Sequence, residues 1–243
     1  MCTLTYLPTK KGFLFSSSRD EVNSRQPAVF PRFENIAESQ LLMPSDPQGG
    51  GTWIIVTNEG QAACLLNGAH KNHKRKPPYR KSRGMVLLES FDYQKIDDFI
   101  KEYDFSGIEP FTLVRIQNDQ LDGQGIFEIR WDGKEIEQIQ TDASKPQLWS
   151  SVTLYSEPMR KKRIAWFEEW LTKKPSISIA NVRNFHLHGG QGDASVNFKM
   201  SRGGGLQTIS LTCIRVNTEL AEMDYQDLLT DQREKVTLLK KEV

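Results

Sequence analysis

The sequence predicts an α+β fold: strands come first, helices follow and strands return, with no alternating βαβ pattern. Three observations carry this expectation. Residues 2–66 hold two hairpin signals, residues 93–103 and 156–186 carry apolar positions at helical spacing, and residues 206–214 return to a strand-like apolar run.

In the first hairpin, Cys2–Leu7 alternates Thr with Leu and Tyr. A turn over Pro8-Thr9-Lys10-Lys11-Gly12 leads into Phe13–Ser17. Pairing of these strands brings Cys2 close to Arg19 and Asp20. In the second hairpin, Thr52–Thr57 and Gln61–Leu66 flank Asn58-Glu59-Gly60, whose Asn and Gly suit positive φ. Both strands are too apolar to face water, which places them in a central sheet covered on its faces. The preceding Gly49-Gly50-Gly51 run implies a tight loop or a close backbone approach. Residues 70–83 form a loop, because Pro77-Pro78 interrupt any helix.

A helix is expected over Tyr93–Tyr103, with Ile96, Phe99, Ile100 and Tyr103 on one face. Strands follow at Phe111–Ile116, Gly125–Trp131 and Glu135–Gln140, the last two joined across Asp132-Gly133. The spacing then predicts a helix over Ser156–Thr172, with Ser156 as N-cap, Pro158 in the first turn and Pro175 beyond the end. Its inward face is read as Ile164, Trp166, Phe167, Trp170 and Leu171. A short helix over Ile179–His186, strands at Ser195–Met200 and Leu206–Ile214, and a peripheral charged tail over 232–243 complete the chain. No linker divides it, so a single domain spanning 1–243 is expected, with a basic loop at 70–84.

Composition narrows the function classes. Hydrophobic residues at 37% and charged residues at 26% fit a soluble globular protein and exclude disordered or fibrous classes. No stretch approaches the roughly 20 apolar residues of a membrane helix. The start lacks a basic segment followed by a long apolar run, so no secretory signal is read and a cytoplasmic location is expected. Cys2, Cys64 and Cys213 are far apart and lack CxxC spacing, which disfavours a disulfide framework or a zinc ribbon. Cys64 and Cys213 read as small core residues. His70/His73 and His186/His188 have no Cys or carboxylate at ligand spacing and read as surface or packing residues. No metal and no cofactor is expected, and no GxGxxG or P-loop spacing supports a nucleotide.

The formal net charge of +1 hides a division. Residues 70–83 hold seven Lys/Arg and no acid, leaving the rest of the chain at −6. Such a patch attracts phosphates, nucleic acid or an acidic substrate. Tyr79 is its one aromatic, too few for a single-strand surface, so a solvated loop or a recognition rim is favoured over nucleic acid.

Cys2 carries the chemistry. Removal of Met1 would put a thiol (reference pKa about 8.5) and a free α-amine (about 8) on one residue, nucleophile and base together. A nearby arginine favours the thiolate, and an aspartate can orient the amine. The bland alternative makes Cys2 a small strand residue and Arg19-Asp20 a solvated turn.

An ordered set of motifs bears on this choice. Met1-Cys2, Ser18-Arg19-Asp20-Glu21, Gly50-Gly51-Thr52-Trp53 and Thr57-Asn58-Glu59-Gly60 through Asn67 together resemble the NRDE family, named for an Asn-Arg-Asp-Glu motif. That family includes the transport and Golgi organisation protein two homologues. The resemblance continues more loosely through Ser150–Arg163 and Phe185–Asp193, and Ser18 stands where the motif has Asn. The family in turn resembles N-terminal nucleophile hydrolases of the bile-salt hydrolase and penicillin V acylase type. That implies a four-layer αββα sandwich and cleavage of an amide bond in a small molecule. Position by position it implies Cys2 as nucleophile, Arg19 beside it, Asp20 on the α-amine and Asn67 at the oxyanion. Ser151 and Arg202 are carried as substrate-binding positions. The family's later Ser-Asn pair reads Ser150-Ser151 here, and Gly203-Gly204-Gly205 occupies the register of an expected arginine, with Arg202 just upstream. The rival readings are a non-catalytic binding or trafficking protein on the same fold, such as a haem handler, and a phosphate or nucleic-acid adaptor using the basic loop.

Overall fold

The computed structural model describes residues 3–37, 39–119 and 123–241. Among them, thirteen strands form two antiparallel sheets. Sheet one contains β1 (Thr3–Thr9), β2 (Gly12–Val22), β10 (Gln147–Ser150), β11 (Leu206–Val216), β12 (Leu220–Asp227) and β13 (Arg233–Leu239), in the order β10-β1-β2-β11-β12-β13. Sheet two contains β3 (Val29–Ile36), β4 (Ser39–Ser45), β5 (Ile54–Thr57), β6 (Ala62–Asn67), β7 (Phe111–Asp119), β8 (Gly123–Trp131) and β9 (Ile136–Thr141), in sequential order.

The sheets pack face to face on a core that includes Leu4, Tyr6, Phe13, Phe15, Ile54, Val56, Cys64, Val114 and Ile214. Strand periodicity assigns the opposite faces to helices. Helices α1 (Arg83–Glu89) and α2 (Ile96–Glu102) cover sheet two, with Val86, Leu87 and Phe99 packed on Leu41, Ile55 and Leu65. Helices α3 (Glu157–Thr172) and α4 (Ile179–His188) cover sheet one, with Phe167, Val182 and Phe185 on Leu7 and Leu14. The result is the four-layer αββα sandwich expected.

Several expectations are corrected. Ser195–Met200, read as a strand, is a turn-rich segment; Val196, Phe198 and Met200 are buried, but among the described residues the segment has no ladder partner, and the nearest bridge, Ser201 to Gln207, lies just beyond it. Residues 233–239, read as part of a peripheral tail, are the outer strand of sheet one, paired with β12 from Leu220↔Leu239 to Gln226↔Arg233. On α3, Ile164 is exposed, whereas Arg163 and Phe167 are buried. Strands β3, β4, β10 and β12 and helix α1 lie where no element was expected. The basic segment is also less free than its composition implies. Arg75, Arg83 and His73 meet Glu109, Lys81 meets Glu89, and Arg80 meets Asp104.

Candidate active-site cleft

The first hairpin sets the geometry. β1 and β2 pair from Thr9↔Gly12 to Thr3↔Ser18. Cys2 lies outside the described residues. On β2, Phe13 and Phe15 face sheet two, and Arg19 follows them at even spacing. Its guanidinium lies 4.4 Å over the Trp53 ring and bonds Asp46 Oδ2 at 3.1 Å through Nη2. Asp46 also takes Arg25 at 2.6 Å, so one carboxylate is shared by two guanidiniums. Burial alone would raise the Asp46 carboxyl; the hydrogen bond from Arg25 and the charges of Arg19 and Arg25 outweigh it and hold its pKa below the ordinary value. Burial lowers the Arg19 pKa, and Asp46 opposes that shift.

Asp20 points to the other face of β2. Its carboxylate accepts from Tyr155 Oη at 2.7 Å and from Thr208 Oγ1 at 2.5 Å. Arg19 and Asp20 therefore serve opposite sides of one strand, as period-two alternation requires.

Asn67 ends β6, where Gly68 turns the chain at φ 80°. The Ser151 hydroxyl donates to the Asn67 carbonyl at 2.8 Å. A cleft of about 540 Å³ opens at this end of the two sheets, lined among others by Arg19, Asp46, Trp53, Asn67 and Glu109. Of the residues anticipated from sequence, the cleft brings together Arg19 and Asn67. Asp20, Ser151 and Arg202 do not line it. Arg202 instead donates to the carbonyls of Leu154 and Ser195, both at 2.7 Å, and stacks 5.0 Å from the Tyr155 ring.

The glycine run provides the close approach expected of it. A Cβ on Gly51 would sit 2.3 Å from the Gly84 carbonyl carbon, so only glycine lets the strand entering β5 touch the start of α1. Ser82 caps that helix through Met85 N and donates to Gly49 O at 2.6 Å. The basic segment is thereby folded against the cleft wall.

Three cleft residues escaped the sequence reading in part. Asp46 precedes a Pro-Gly-rich turn and accepts from Gly49 N, a pattern that marks a turn acid but not its arginine partners. Trp53 reads from sequence as a strand residue and part of a motif, with no sign of its stack on Arg19. Glu109, 6% exposed between Ile108 and Pro110, carries no local signal.

Other chemistry is limited. Burial pushes the Cys64 and Cys213 thiols up to about 12, which leaves them protonated and inert. Burial, with the charges of Arg163 and Arg183, drives His186 down to about 3; its ring sits between Thr5 Oγ1 and Ser18 Oγ at 2.9 and 2.8 Å. Among the described residues no cluster of three or more His, Cys, Asp and Glu could hold a metal, and no helix is long and apolar enough to cross a membrane.

The family model for Transport and Golgi organisation 2 matches residues 1–199. The chain belongs to that family. The Transport and Golgi organisation 2 family is the one also called NRDE, so the resemblance read from the motifs holds. Solved structures add the fold of N-terminal nucleophile hydrolases to this family member. An arginine-to-leucine variant of conjugated bile acid hydrolase from Clostridium perfringens aligns with a TM-score of 0.58 at 13% identity, covering 97% of this chain and 92% of that one. A cysteine-to-alanine mutant of the same hydrolase aligns at 0.57 and 11% identity, covering 100% and 97%. The Caenorhabditis elegans ortholog of N-acylethanolamine-hydrolyzing acid amidase aligns at 0.51 and 8% identity, covering 88% and 92%. Comparison with curated protein sequences gives no match.

Proposed function

We propose that this chain is an N-terminal cysteine hydrolase of a small-molecule amide. The observation that carries the reading is the register Thr3↔Ser18, which sets the start of β1 beside Arg19, a residue that lines the same cleft as Asn67. Leu4 and Tyr6 on β1 face the core between the sheets, the face from which Arg19 reaches Trp53. Loss of Met1 frees the Cys2 α-amine, which takes the thiol proton. The thiolate then adds to the amide carbonyl carbon, with Arg19 favouring the anionic sulfur. The Asn67 side-chain amide donates to the oxyanion, an interaction worth about 3–4 kcal/mol in comparable sites. The C–N bond breaks as the ammonium returns its proton to the leaving amine. Water, deprotonated by the α-amine, then splits the thioester to release the acid and regenerate the thiol.

Asp20 acts behind β2, on the face held by Tyr155 and Thr208. The aligned structures are those of a conjugated bile acid hydrolase and an N-acylethanolamine-hydrolyzing acid amidase, which supports an amide as substrate. A second reading, a binding protein on the same fold, draws on Ser151: its hydroxyl is spent on a backbone carbonyl where the family has an amide side chain.

Intact mass before and after an activated acyl ester tests the proposal. The expected result is a native protein lacking Met1 that gains one acyl group, mapped to Cys2. Retained Met1, or acylation only elsewhere, overturns the hydrolase reading and favours the binding one.

A further inference from the structure

The cations of residues 70–83 fall into two groups. Arg75 Nε and Arg83 Nη2 meet Glu109 at 3.1 and 3.3 Å, Lys81 meets Glu89, and Arg80 meets Asp104 at 3.5 Å. His73 adds a third contact to Glu109 at 3.2 Å. These pairs fasten the segment to the body of the protein. Among the described residues no ion pair reaches Lys71, Lys74 or Lys76, and all three side chains are exposed. Arg75 is 71% exposed despite its contact with Glu109. Four cations within six residues are therefore held in place and turned to solvent.

The charge of this stretch is not offset by its surroundings. The exposed acids that the segment meets, Glu137 and Asp104, lie at its two ends, against His70 at 3.8 Å and Arg80 at 3.5 Å. Between them, residues 71–76 contain no acid. The chain outside 70–83 is at −6, so attraction to an anionic partner is concentrated in this segment and orients the molecule. Three of the four exposed cations are lysines, point charges on flexible stems without the planar fork that arginine offers a fixed anion. Tyr79 is half-buried and its hydroxyl accepts from Lys76 N at 2.7 Å, so it presents no open ring for a base to stack on. A bilayer headgroup layer fits such a stretch, because its mobile anionic groups accept any spacing of charges. Pro77 and Pro78, exposed beside the lysines, add a small apolar contact at the same place.

We infer that Lys71, Lys74, Arg75 and Lys76 dock the protein reversibly on an anionic lipid surface. Arg75 and Tyr79 also line the cleft, so docking sets the rim of the cleft against the membrane. The inference does not rest on hydrolysis, since a binding protein on this fold would dock in the same way. Each cation near an anionic bilayer strengthens partitioning about fivefold. Four together give an attachment that salt reverses, because the cations are solvent-exposed and screened. The paired bases have a separate role: through Glu109, Glu89 and Asp104 they keep the segment on the body of the protein while its lysines reach outward.

Co-sedimentation of the full chain with vesicles tests the inference, using phosphatidylcholine alone and phosphatidylcholine mixed with phosphatidylserine, each at low and at high salt. Binding is expected only to the phosphatidylserine vesicles at low salt. The triple variant Lys71→Gln/Lys74→Gln/Lys76→Gln is expected to weaken it about hundredfold. Those side chains are exposed and outside any ion pair, so the variant should melt with the parent. Lys10→Gln/Lys11→Gln/Lys199→Gln is the control: it removes the same charge from exposed positions that do not line the cleft, and binding should stay within a few-fold of the parent. Equal binding to neutral vesicles, no binding to the anionic ones, or an equal loss in both triple variants overturns the inference. A duplex oligonucleotide bound more tightly than the vesicles at the same salt overturns the choice of a lipid surface and makes the segment a nucleic-acid contact. Release from the vesicles by millimolar glycerophosphoserine overturns docking on a surface in favour of a site for one headgroup.

Discussion

The Tyr155 hydroxyl donates to Asp20 Oδ2 at 2.7 Å, from a ring with the Arg163 guanidinium 3.9 Å and the Arg202 guanidinium 5.0 Å from its centroid. Arg163 Nη2 in turn donates to Thr3 Oγ1 at 2.5 Å. A chain of contacts therefore runs from the loop holding Arg202, through Tyr155, to Asp20 and to the first described residue of β1. Arg202, carried from the family as a substrate contact, acts on the hairpin from behind. Tyr155→Phe keeps the ring stack and removes one hydrogen bond to a buried carboxylate. The expected loss is about 1.5–3 kcal/mol, a Tm lower by roughly 3–10 °C in thermal unfolding. A variant as stable as the parent would show that the Tyr155 hydroxyl is not needed to satisfy Asp20.

Arg19 makes a different prediction because it faces the cleft. If Cys2 lies opposite it, removing its charge raises the thiol pKa. In Arg19→Gln the pH of half-maximal alkylation at Cys2 should rise by about one unit or more, read by mass spectrometry across a pH series. Asp46 keeps Arg25 as partner at 2.6 Å, so the fold should survive. An unchanged profile would place Cys2 away from Arg19.

How far the sequence foretells these residues depends on whether period or partner decides the outcome. The two hairpins were legible because alternation and turn residues agreed, and their register delivered Arg19 and Asn67 to one cleft. Val196, Phe198 and Met200 alternate just as well and are buried, yet alternation cannot supply a neighbouring strand; Phe198 packs with Phe167 and Phe185 of the helices and Met200 with Tyr155 instead. Strand β12, Leu220–Asp227, is acidic enough to read as surface; its Glu222 and Asp224 are buried because Arg215, Lys235, Arg183 and Arg233 reach them from three other elements. Arg163 on α3 is hidden from hydrophobic pattern for the same reason: it is buried against Tyr155, just before the helix, and Phe198, far along the chain. Glu109 owes its role wholly to bases brought from residues 73–83.

His186 predicts an acid limb in stability. Its ring is fully buried and held neutral, with a pKa of about 3, whereas in the unfolded chain it titrates near 6.5. Below that unfolded value the unfolded state binds a proton the native state refuses. Stability contributed by the neutral ring is thus complete above about pH 6.5 and is lost as pH falls toward 3, by about 1.4 kcal/mol per unit. Asp46, held below its ordinary value, adds to the same limb only as pH falls through the carboxylate range. Denaturant unfolding of the parent and His186→Asn between pH 4 and 7 separates them. The variant should lose the slope between pH 5 and 6.5; a parallel curve would mean His186 is protonated in the native state.

The Gly51–Gly84 contact predicts a steric failure rather than an electrostatic one. With a Cβ 2.3 Å from a backbone carbonyl carbon, Gly51→Ala must push α1 away from β5. Overpacking of this kind costs about 1–3 kcal/mol. It should also loosen the cleft wall, because Ser82 and Arg83 lie at the start of that helix. Gly203→Ala, where nothing lies within 4 Å, is the matched control and should unfold with the parent. Equal melting of both variants would show that the α1 contact bears no strain.

Ser151 tests whether Asn67 works through its placement. The Ser151 hydroxyl donates to the Asn67 carbonyl at 2.8 Å and sits 3.0 Å from Thr153 Oγ1, so it fixes the residue whose amide is assigned to the oxyanion. Removing it should leave substrate binding largely intact and slow the chemical step, since the oxyanion forms only there. Ser151→Ala is expected to lower kcat about tenfold, equivalent to about 1.4 kcal/mol, with KM nearly unchanged. Ser151→Thr keeps a hydroxyl at the same carbon and should recover most of the rate. If Ser151→Ala keeps the parent kcat, the hydroxyl does not position Asn67.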